Sequence, residues 1–307
     1  MSRVAAIDCG TNSIRLLIAD ISDGNFREII REMEIVRLGQ GVDATGQFDP
    51  EAVERTLNAT RKYADLIRSK GVEKIRFCAT SATRDASNRE IFIDGVKEIL
   101  GIEPEVIPGS EEAALSFIGA TKELKHAEAP YLVVDIGGGS TEFVLGTEEV
   151  KYAKSVNIGC VRMAERHLKV SPPKPLDVQN AIADIDKAIF EASHIVPLTE
   201  AKTLIAVAGT ATTVAAAALN LDQYDRYAIH LSRIPTERVL EVAQRFSLMK
   251  RDELAALPYM HPGRVDVIAA GAIVLSRVMV ATGAKEFVAS ESDILDGMAW
   301  SLSQSTN

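Results

Sequence analysis

Short apolar runs alternate with longer amphipathic stretches along the first half of the chain. A short apolar run bounded by turn residues predicts a strand, whereas apolar residues every three or four positions predict a helix. Asp49 and Ser110 are the expected N-cap residues of two helices, because their side-chain oxygens accept backbone N–H bonds there. Strands are predicted at 3–8, 14–20, 25–37, 74–80 and 105–108, and helices at 50–70, 88–100 and 110–124.

The second half of the chain repeats this order of elements after a polar stretch at 125–130. Both halves show three antiparallel strands, a helix, a strand and a helix, which indicates duplication of a whole α/β unit. We therefore expect domains at 1–125 and 126–307, with the last helix, 292–307, as a segment that could pack on the first domain. In this half, strands are predicted at 131–136, 142–147, 151–157, 203–208 and 286–289, and helices near 160–168, 178–195, 236–247, 263–282 and 292–303 and from 210 onwards.

The same turn, Asp-x-Gly-x-x-Ser, follows the first strand of each half, at 8–13 and at 135–140. Glycine allows the backbone to approach a ligand closely, and successive N–H groups form an anion-binding concavity. A tight hairpin without a ligand is the alternative, but two copies in register favour phosphate binding. We expect the two turns to hold a phosphoryl chain from both sides of an interdomain cleft. The expected hydroxyl donors are Thr11, Ser13, Ser140 and Thr141.

Charged residues occupy matching positions in the two turns. Asp8 and Asp135 stand at a strand end, where carboxylate oxygens suit a hydrated divalent cation. Seven residues later the first copy has Arg15 and the second has Glu142. We expect Glu142 to help bind the cation or water, and Arg15 to contact phosphate or to pair with an acid. A solvated strand end is the alternative for both.

A third segment, at 204–219, reads as a buried strand followed by Gly209, Thr210 and a helix. The N-terminus of a helix binds anions through its free N–H groups and its dipole, although this arrangement is common in α/β proteins. Neither a Gly-x-x-x-x-Gly-Lys phosphate loop nor a Gly-x-Gly-x-x-Gly fingerprint is present in the sequence.

Composition and charge narrow the class of protein. The 307 residues are 47% hydrophobic and 25% charged and carry a net charge of −9, with no basic stretch typical of duplex nucleic-acid binding. No apolar run is long enough to predict a membrane span. The three cysteines are scattered, which favours a reducing cytoplasm, and the five histidines show no zinc-ligand spacing with them.

Five segments together resemble the exopolyphosphatase/guanosine-pentaphosphatase (Ppx/GppA) family, within the actin and sugar-kinase superfamily. The segments are AAIDCGTNSIRLLIAD, ATSATRDA, PGSEEAALSFIGA, VVDIGGGSTEF and NIGCVRMAE, in that order along the chain. The resemblance implies an α/β fold of two ribonuclease-H-like (actin-like ATPase) domains related by duplication. Each domain would be a mixed five-stranded sheet flanked by helices, with the active site in the interdomain cleft.

The resemblance also implies roles for individual residues. Glu112 matches the family's catalytic base, and Arg84 matches its phosphate-binding arginine. Asp135 and Glu142 match acidic residues that position metal and water, and Gly209 with Thr210 is retained in the third segment. The positions that match the phosphate-holding loops are Asn12, Ser13, Gly137, Gly138, Gly139 and Ser140.

The expected activity is Mg²⁺-dependent hydrolysis of the terminal phosphoanhydride bond of inorganic polyphosphate, with Mn²⁺ as a possible substitute. Short chains are the expected preference, because the family's longer members carry C-terminal domains that do not match here and the net charge is −9. Guanosine pentaphosphate is the alternative substrate, since the shared motifs contact phosphates and not the base. An ATP-dependent sugar kinase and an actin-like filament protein are more distant alternatives. The resemblance also suggests a homodimer. Cysteine usage, charge and hydropathy lead us to expect a cytoplasmic protein that binds neither nucleic acid nor membrane.

Overall fold

The computed structural model describes residues 2–22, 25–124 and 127–304. Contacts divide the chain into a first unit, Met1–Gly119 with Ile294–Asn307, and a second unit, Ala120–Asp293. The last helix therefore belongs to the first unit. The expected boundary at 125/126 and the middle of the turn at 22–25 lie outside the described residues. The expected domain limits stay a prediction.

Strands and helices alternate along the chain in the order that the apolar pattern predicts. The described strands are β1 Ser2–Cys9, β2 Ser13–Ser22, β3 Asn25–Ile35, β4 Lys74–Ala79, β5 Glu105–Val106, β6 Tyr131–Ile136, β7 Thr141–Gly146, β8 Val150–Val156, β9 Thr203–Val207, β10 Arg233–Pro235 and β11 Glu286–Ala289. The described helices are α1 Val42–Thr45, α2 Pro50–Ser69, α3 Ser81–Asp85, α4 Glu90–Leu100, α5 Gly109–Thr121, α6 Cys160–His167, α7 Pro175–Ser193, α8 Ala208–Ala218, α9 Arg226–Ile229, α10 Thr236–Leu248, α11 Arg251–Ala255, α12 Ile268–Thr282 and α13 Ile294–Gln304.

The first unit is built on a mixed five-stranded sheet in the order β3-β2-β1-β4-β5. The strands β1, β2 and β3 pair antiparallel, whereas β4 and β5 continue the sheet parallel to β1. Side chains of a strand alternate between the two faces. In β1, Ala5 and Ile7 enter one apolar cluster and Val4 and Ala6 enter another. Both faces of this sheet are therefore covered, which explains the nearly continuous apolar run in β1.

Helix α13 covers one face of the first sheet. It contacts β1, β2 and β4, and its residues Leu295, Met298 and Ala299 are buried in the same cluster as Val4 and Ala6 of β1. Gly297 faces the carbonyl of Leu115 on α5 so closely that a side chain would overlap it. This packing places the C-terminal helix in the first unit although its sequence follows the second.

The second unit repeats the arrangement with one additional strand. Its sheet order is β10-β11-β9-β6-β7-β8, so that β8-β7-β6-β9-β11 corresponds to the five strands of the first unit. The expectation of five strands here is one short, because β10 has only three residues, Arg233–Pro235, and gives no strand pattern. Helices α6, α7, α8, α10 and α12 cover the sheet, and their apolar side chains form one cluster with it.

Three local predictions can be compared with the described elements. Asp49 caps α2 as predicted, since its carboxylate accepts the N–H groups of Glu51 at 2.8 Å and Ala52 at 3.1 Å. Ser110 as an N-cap was wrong. Helix α5 begins at Gly109, and the carbonyl of Pro108 accepts the first N–H bonds, so Ser110 lies inside the first turn. Helix α12 begins at Ile268, later than predicted, because Pro262–Arg264 forms a separate 3₁₀ turn.

No helix of the described residues combines the length and the apolar character that crossing a bilayer requires.

An ion-pair cluster around the buried carboxylate of Asp20 ties β1 to β2 and β3 in the first sheet. Asp20 of β2 accepts hydrogen bonds from Arg3 Nε at 2.7 Å, Arg3 Nη2 at 3.0 Å and Arg27 Nη2 at 2.7 Å. These two guanidinium groups lower the pKa of Asp20 to about 2. Because the folded state favours the charged carboxylate, the cluster stabilises the fold above the unfolded pKa of an aspartate, about 3.9.

We predict that Asp20→Asn lowers the free energy of unfolding by about 1.5–3 kcal/mol at neutral pH, since hydrogen bonds to charged groups contribute that much. The difference from the wild type should shrink as the pH falls from about 4 towards about 2. Denaturant unfolding across that pH range measures it. Asp65→Asn, which alters an exposed pair with Arg68, is the control and should cost less than about 1 kcal/mol. A difference for Asp20→Asn that grows on acidification would contradict the assignment.

Candidate active site

The two Asp-x-Gly-x-x-Ser turns adopt the same hydrogen-bonding pattern. In the first turn the N–H of Gly10 donates to the carbonyl of Ser13 at 3.0 Å, and in the second the N–H of Gly137 donates to the carbonyl of Ser140 at 3.0 Å. The residues on either side also correspond. Asp8 lies directly opposite Arg15 in the β1–β2 register, and Asp135 lies directly opposite Glu142 in the β6–β7 register. The duplication therefore extends to individual positions in the turns.

Backbone N–H groups that follow β3 hold the carbonyls of the first turn. Val36 and Arg37 donate to the carbonyl of Asn12 at 3.1 and 2.9 Å, and Gly39 donates to the carbonyl of Thr11 at 2.9 Å. In a trans peptide the carbonyl of one residue and the N–H of the next point in opposite directions. The N–H of Asn12 therefore faces away from the segment that holds the turn.

The second turn is held in the same way by the start of α6. Cys160 donates its N–H to the carbonyl of Gly137 at 2.9 Å, and Val161 and Arg162 donate theirs to the carbonyl of Gly138 at 2.9 and 3.1 Å. By the same reasoning, the N–H groups of Gly138 and Gly139 face away from α6. Consecutive N–H groups on one side form a concavity that binds anions.

Side chains of the first turn add polar atoms that have no hydrogen-bond partner. Within the described part of the chain, Thr11 Oγ1 and Asn12 Oδ1 are buried without one, and so is Thr83 Oγ1 of α3. Buried polar atoms are nearly always hydrogen-bonded, and an exception indicates a place for a ligand, an ion or water. Thr11 and Asn12 were predicted to bind substrate, whereas Thr83 was not predicted.

Arg84 and Glu112 are brought together in the first unit. Arg84 Nη1 donates to Glu112 Oε2 at 2.7 Å and to the carbonyl of Ile107 at 2.9 Å. Arg84 lies on α3 and Glu112 in the first turn of α5, so the two predicted residues meet although 28 positions separate them. The neighbouring Glu111 instead accepts a hydrogen bond from Arg76 at 2.5 Å. Of these two neighbouring carboxylates, only Glu112 lies beside Arg84, and Glu111 is bound to Arg76.

Burial controls the acidity of Glu112. Removal from water raises the pKa of this carboxyl, while the Arg84 guanidinium and a hydrogen bond from Thr80 oppose the change and Asp8 reinforces it. A glutamate with a raised pKa accepts a proton more readily near neutral pH than an exposed one does. Glu112 is therefore a candidate general base.

A carboxylate–guanidinium pair, separate from that of Glu112 and Arg84, lies at the first turn. Arg15 Nε and Nη2 donate to Asp8 Oδ2 at 3.0 and 2.6 Å. Of the two expectations for Arg15, phosphate contact or an acidic partner, the described geometry has the acidic partner. The prediction that Asp8 binds a cation stays a prediction, and Arg15 already engages one oxygen of that carboxylate.

The second turn places two acidic residues without an arginine at the matching position. Asp135 and Glu142 are both buried, and Glu142 Oε1 accepts a hydrogen bond from Ser155 Oγ of β8 at 2.7 Å. The hydroxyl of Thr141 donates to the carbonyl of Ile158 at 2.6 Å, so its single proton is already used. Thr141 was predicted to donate its hydroxyl to phosphate, but that proton is donated to Ile158. The backbone N–H groups of the second turn are therefore better candidates for binding phosphate.

The third segment is shaped by residues that the sequence did not reveal. Helix α8 begins beside Gly209, and the Arg264 guanidinium lies against this glycine so closely that any side chain there would overlap it. Thr210 hydrogen-bonds the thiol of Cys160, whose pKa burial raises. This cysteine is therefore a buried thiol and not a reactive thiolate. Arg264 lies over fifty positions after Gly209, and no local motif connects the two.

The acidic groups fit a magnesium ion that is shared with a phosphate ligand. Among the described residues there is no group of three or more histidine, cysteine or carboxylate side chains that could hold a metal alone. Mg²⁺ keeps several waters and is commonly bound by one or two carboxylates together with substrate phosphates. The cross-strand pair Asp135 and Glu142 supplies two such carboxylates.

The protein consists of two copies of one α/β unit, each with an Asp-x-Gly-x-x-Ser turn between its first two strands. The fold predicted from the sequence is thereby confirmed, apart from the additional strand β10. The chain belongs to the Ppx/GppA phosphatase family, whose profile matches residues 17–305.

Individual relatives are similar over nearly the whole chain. Exopolyphosphatase 2 of Mycobacterium tuberculosis is 49% identical over 315 aligned positions, which cover 98% of this chain and 99% of that protein. The crystal structure of an exopolyphosphatase-like protein is 45% identical with a TM-score of 0.95, and the match covers 98% of each chain. An exopolyphosphatase from Cytophaga hutchinsonii has a TM-score of 0.88 at 26% identity, covering 100% of this chain and 99% of that one.

Gly159 provides a test of how closely α6 approaches the second turn. A side chain at this position would overlap the backbone of Gly138, whereas one at Gly10 would meet nothing closer than 3.7 Å. We predict that Gly159→Ala lowers the free energy of unfolding by about 1–3 kcal/mol, the usual cost of overpacking. Gly10→Ala is the matched control and should cost less. Equal stability of the two variants by denaturant unfolding would show that α6 does not constrain the turn.

Proposed function

We propose that this protein is an exopolyphosphatase, which hydrolyses the terminal phosphoanhydride bond of inorganic polyphosphate and releases orthophosphate. The observation that carries the proposal is the hydrogen bond between Arg84 and the buried Glu112, a candidate phosphate ligand beside a candidate base. The similarity to proteins named exopolyphosphatase over nearly the full chain supports the same substrate.

Glu112 is the proposed general base. Its carboxylate accepts a proton from the attacking water, and burial gives it the affinity for that proton. The first turn of α5 fixes the side chain beside Arg84 and Thr80. Phosphoryl transfer depends mainly on positioning and charge stabilisation. The part proposed for Glu112 is to orient the attacking water and to accept its proton.

Arg84 and the two turns are the proposed phosphate ligands. A guanidinium group can donate two parallel N–H bonds to phosphate oxygens. Arg84 Nη1 donates to Ile107 and to Glu112, so Nη2 and Nε are the candidate donors to phosphate. The N–H groups of Asn12, Gly138 and Gly139 supply further donors. Donors of this kind stabilise the negative charge of a phosphoryl group that is being transferred.

Asp135 and Glu142 are the proposed ligands of Mg²⁺, with Asp8 as a third candidate. A bound Mg²⁺ would neutralise charge on the phosphoryl oxygens, and Mn²⁺ is expected to substitute for it. Ser155 holds one oxygen of Glu142, which orients this carboxylate within β7. The homodimer, the cytoplasmic location and the lack of affinity for nucleic acid stay predictions.

The role of Glu112 is tested by two substitutions at this position and by one substitution at Glu111. We predict that Glu112→Gln and Glu112→Ala lower kcat about 100- to 10,000-fold, the usual contribution of a general base, without loss of folding. Glu111→Gln is the matched control, because Glu111 is bound to Arg76, and should retain most of the activity. Phosphate release from polyphosphate with Mg²⁺ measures all three. Near-normal turnover in Glu112→Gln would remove this residue from the mechanism.

The pH dependence of kcat/KM tests the same assignment independently. The base must be deprotonated, and burial raises its pKa. Activity should therefore fall on the acid side at a pH above the ordinary glutamate value of about 4.3. An acid limb at or below that value would indicate a solvent-exposed carboxylate as the base.

Substrate choice is tested by kcat/KM on short polyphosphate, long polyphosphate and guanosine pentaphosphate. We predict the highest value on short polyphosphate, because the net charge of −9 disfavours the association of a long polyanion. A preference for long chains would contradict the chain-length prediction alone. A higher kcat/KM on guanosine pentaphosphate would show that the proposed substrate is wrong. Transfer of a phosphoryl group from ATP to a sugar would show that the proposed reaction is wrong.

A further inference from the structure

The third carbonyl of the glycine-rich turn is held by a side chain. The carbonyls of Gly137 and Gly138 accept backbone N–H bonds from α6, whereas the carbonyl of Gly139 accepts a bond from Arg162 Nε at 2.6 Å. Arg162 is the third residue of α6 and is almost fully buried. One short helical segment therefore holds three successive carbonyls of the turn.

This bond determines the direction of one further N–H group. Because the peptide between Gly139 and Ser140 is trans, a carbonyl drawn towards α6 turns the N–H of Ser140 to the opposite side. The N–H groups of Gly138, Gly139 and Ser140 then face the same way. Three aligned N–H groups make a better anion-binding concavity than two.

The first turn shows why the second needs this side chain. The carbonyls of Thr11 and Asn12, its two central residues, accept backbone N–H bonds from Val36, Arg37 and Gly39. The second turn has three consecutive glycines, which lose more conformational freedom on ordering than any other residue. The hydrogen bond from Arg162 to the carbonyl of Gly139 helps to offset this entropic cost of ordering the turn.

Burial of a guanidinium group is costly unless its hydrogen bonds are satisfied. Arg162 nevertheless lies under the turn with Nε directed at a backbone carbonyl. An apolar side chain would fill the same space without that cost. The position of the guanidinium therefore indicates a role in holding the turn beyond packing.

We propose that Arg162 is a positioning residue, which orients the N–H of Ser140 towards bound phosphate through its hydrogen bond to the carbonyl of Gly139. The proposal rests on the proposed function, since it assigns phosphate as the ligand of the second turn. No phosphate contact is assigned to Arg162 itself.

Two substitutions separate the hydrogen bond from packing. In Arg162→Gln the amide nitrogen lies as many bonds from Cα as Nε does in arginine, so the donor is retained. In Arg162→Met that position carries a methyl group, so the donor is lost at similar size. We expect Arg162→Met to raise the Kd for tripolyphosphate and the KM for polyphosphate about 10- to 100-fold, the range for a hydrogen bond to a charged group. Arg162→Gln should recover most of this loss, although both variants lack the charge.

Arg162→Lys completes the set, because it keeps the charge but moves the donor one bond further out. If Arg162→Met fails to fold, the comparison of Arg162→Gln with Arg162→Lys decides the question. Tighter tripolyphosphate binding by the glutamine variant supports the proposal. Equal binding by the methionine and glutamine variants, or tighter binding by the lysine variant, overturns it. Calorimetry with tripolyphosphate does not depend on turnover. A wild type that binds tripolyphosphate but does not hydrolyse polyphosphate would therefore refute the proposed function and leave this test valid.

Discussion

The direction of backbone carbonyls in two short turns is the constraint on which the rest of this structure depends. In each unit the segment after the third strand draws the carbonyls of the turn to one side, so the intervening N–H groups face the other side. The sheets, the covering helices and the close approach of Gly159 all serve to fix that arrangement.

The two copies of the turn have diverged in charge, and the divergence separates their tasks. In the first, Asp8 is paired with Arg15 opposite it, which leaves this copy close to neutral. In the second, Asp135 lies opposite Glu142, which places two carboxylates side by side at the proposed Mg²⁺ site. The candidate base belongs to the first copy, beside Arg84. The sequence shows Arg15 seven residues after Asp8 and Glu142 seven residues after Asp135. That the two residues of each pair lie directly opposite one another is shown by the strand register.

Periodicity predicted most elements, and turn chemistry predicted the helix start at Asp49, because these depend on local sequence. The three-residue strand β10 was missed, since a segment of that length has no period. Ser110 is not the cap, because the carbonyl of Pro108 accepts the first N–H bonds of α5. The family motifs indicated Glu112 and Arg84, and the structure brings them within hydrogen-bonding distance. Arg162 and Arg264 were not predicted, because each is defined by a contact with a residue distant in sequence. Thr83 was not predicted, because a buried hydroxyl without a partner leaves no signal in the sequence.

The central claim is that water, held by this protein, attacks the terminal phosphorus of polyphosphate. Hydrolysis in water enriched in heavy oxygen, followed by mass spectrometry of the products of a single turnover, tests it most directly. The account predicts one heavy-oxygen atom in the released orthophosphate and none in the shortened chain. Label in the shortened chain, or orthophosphate without label, would contradict it.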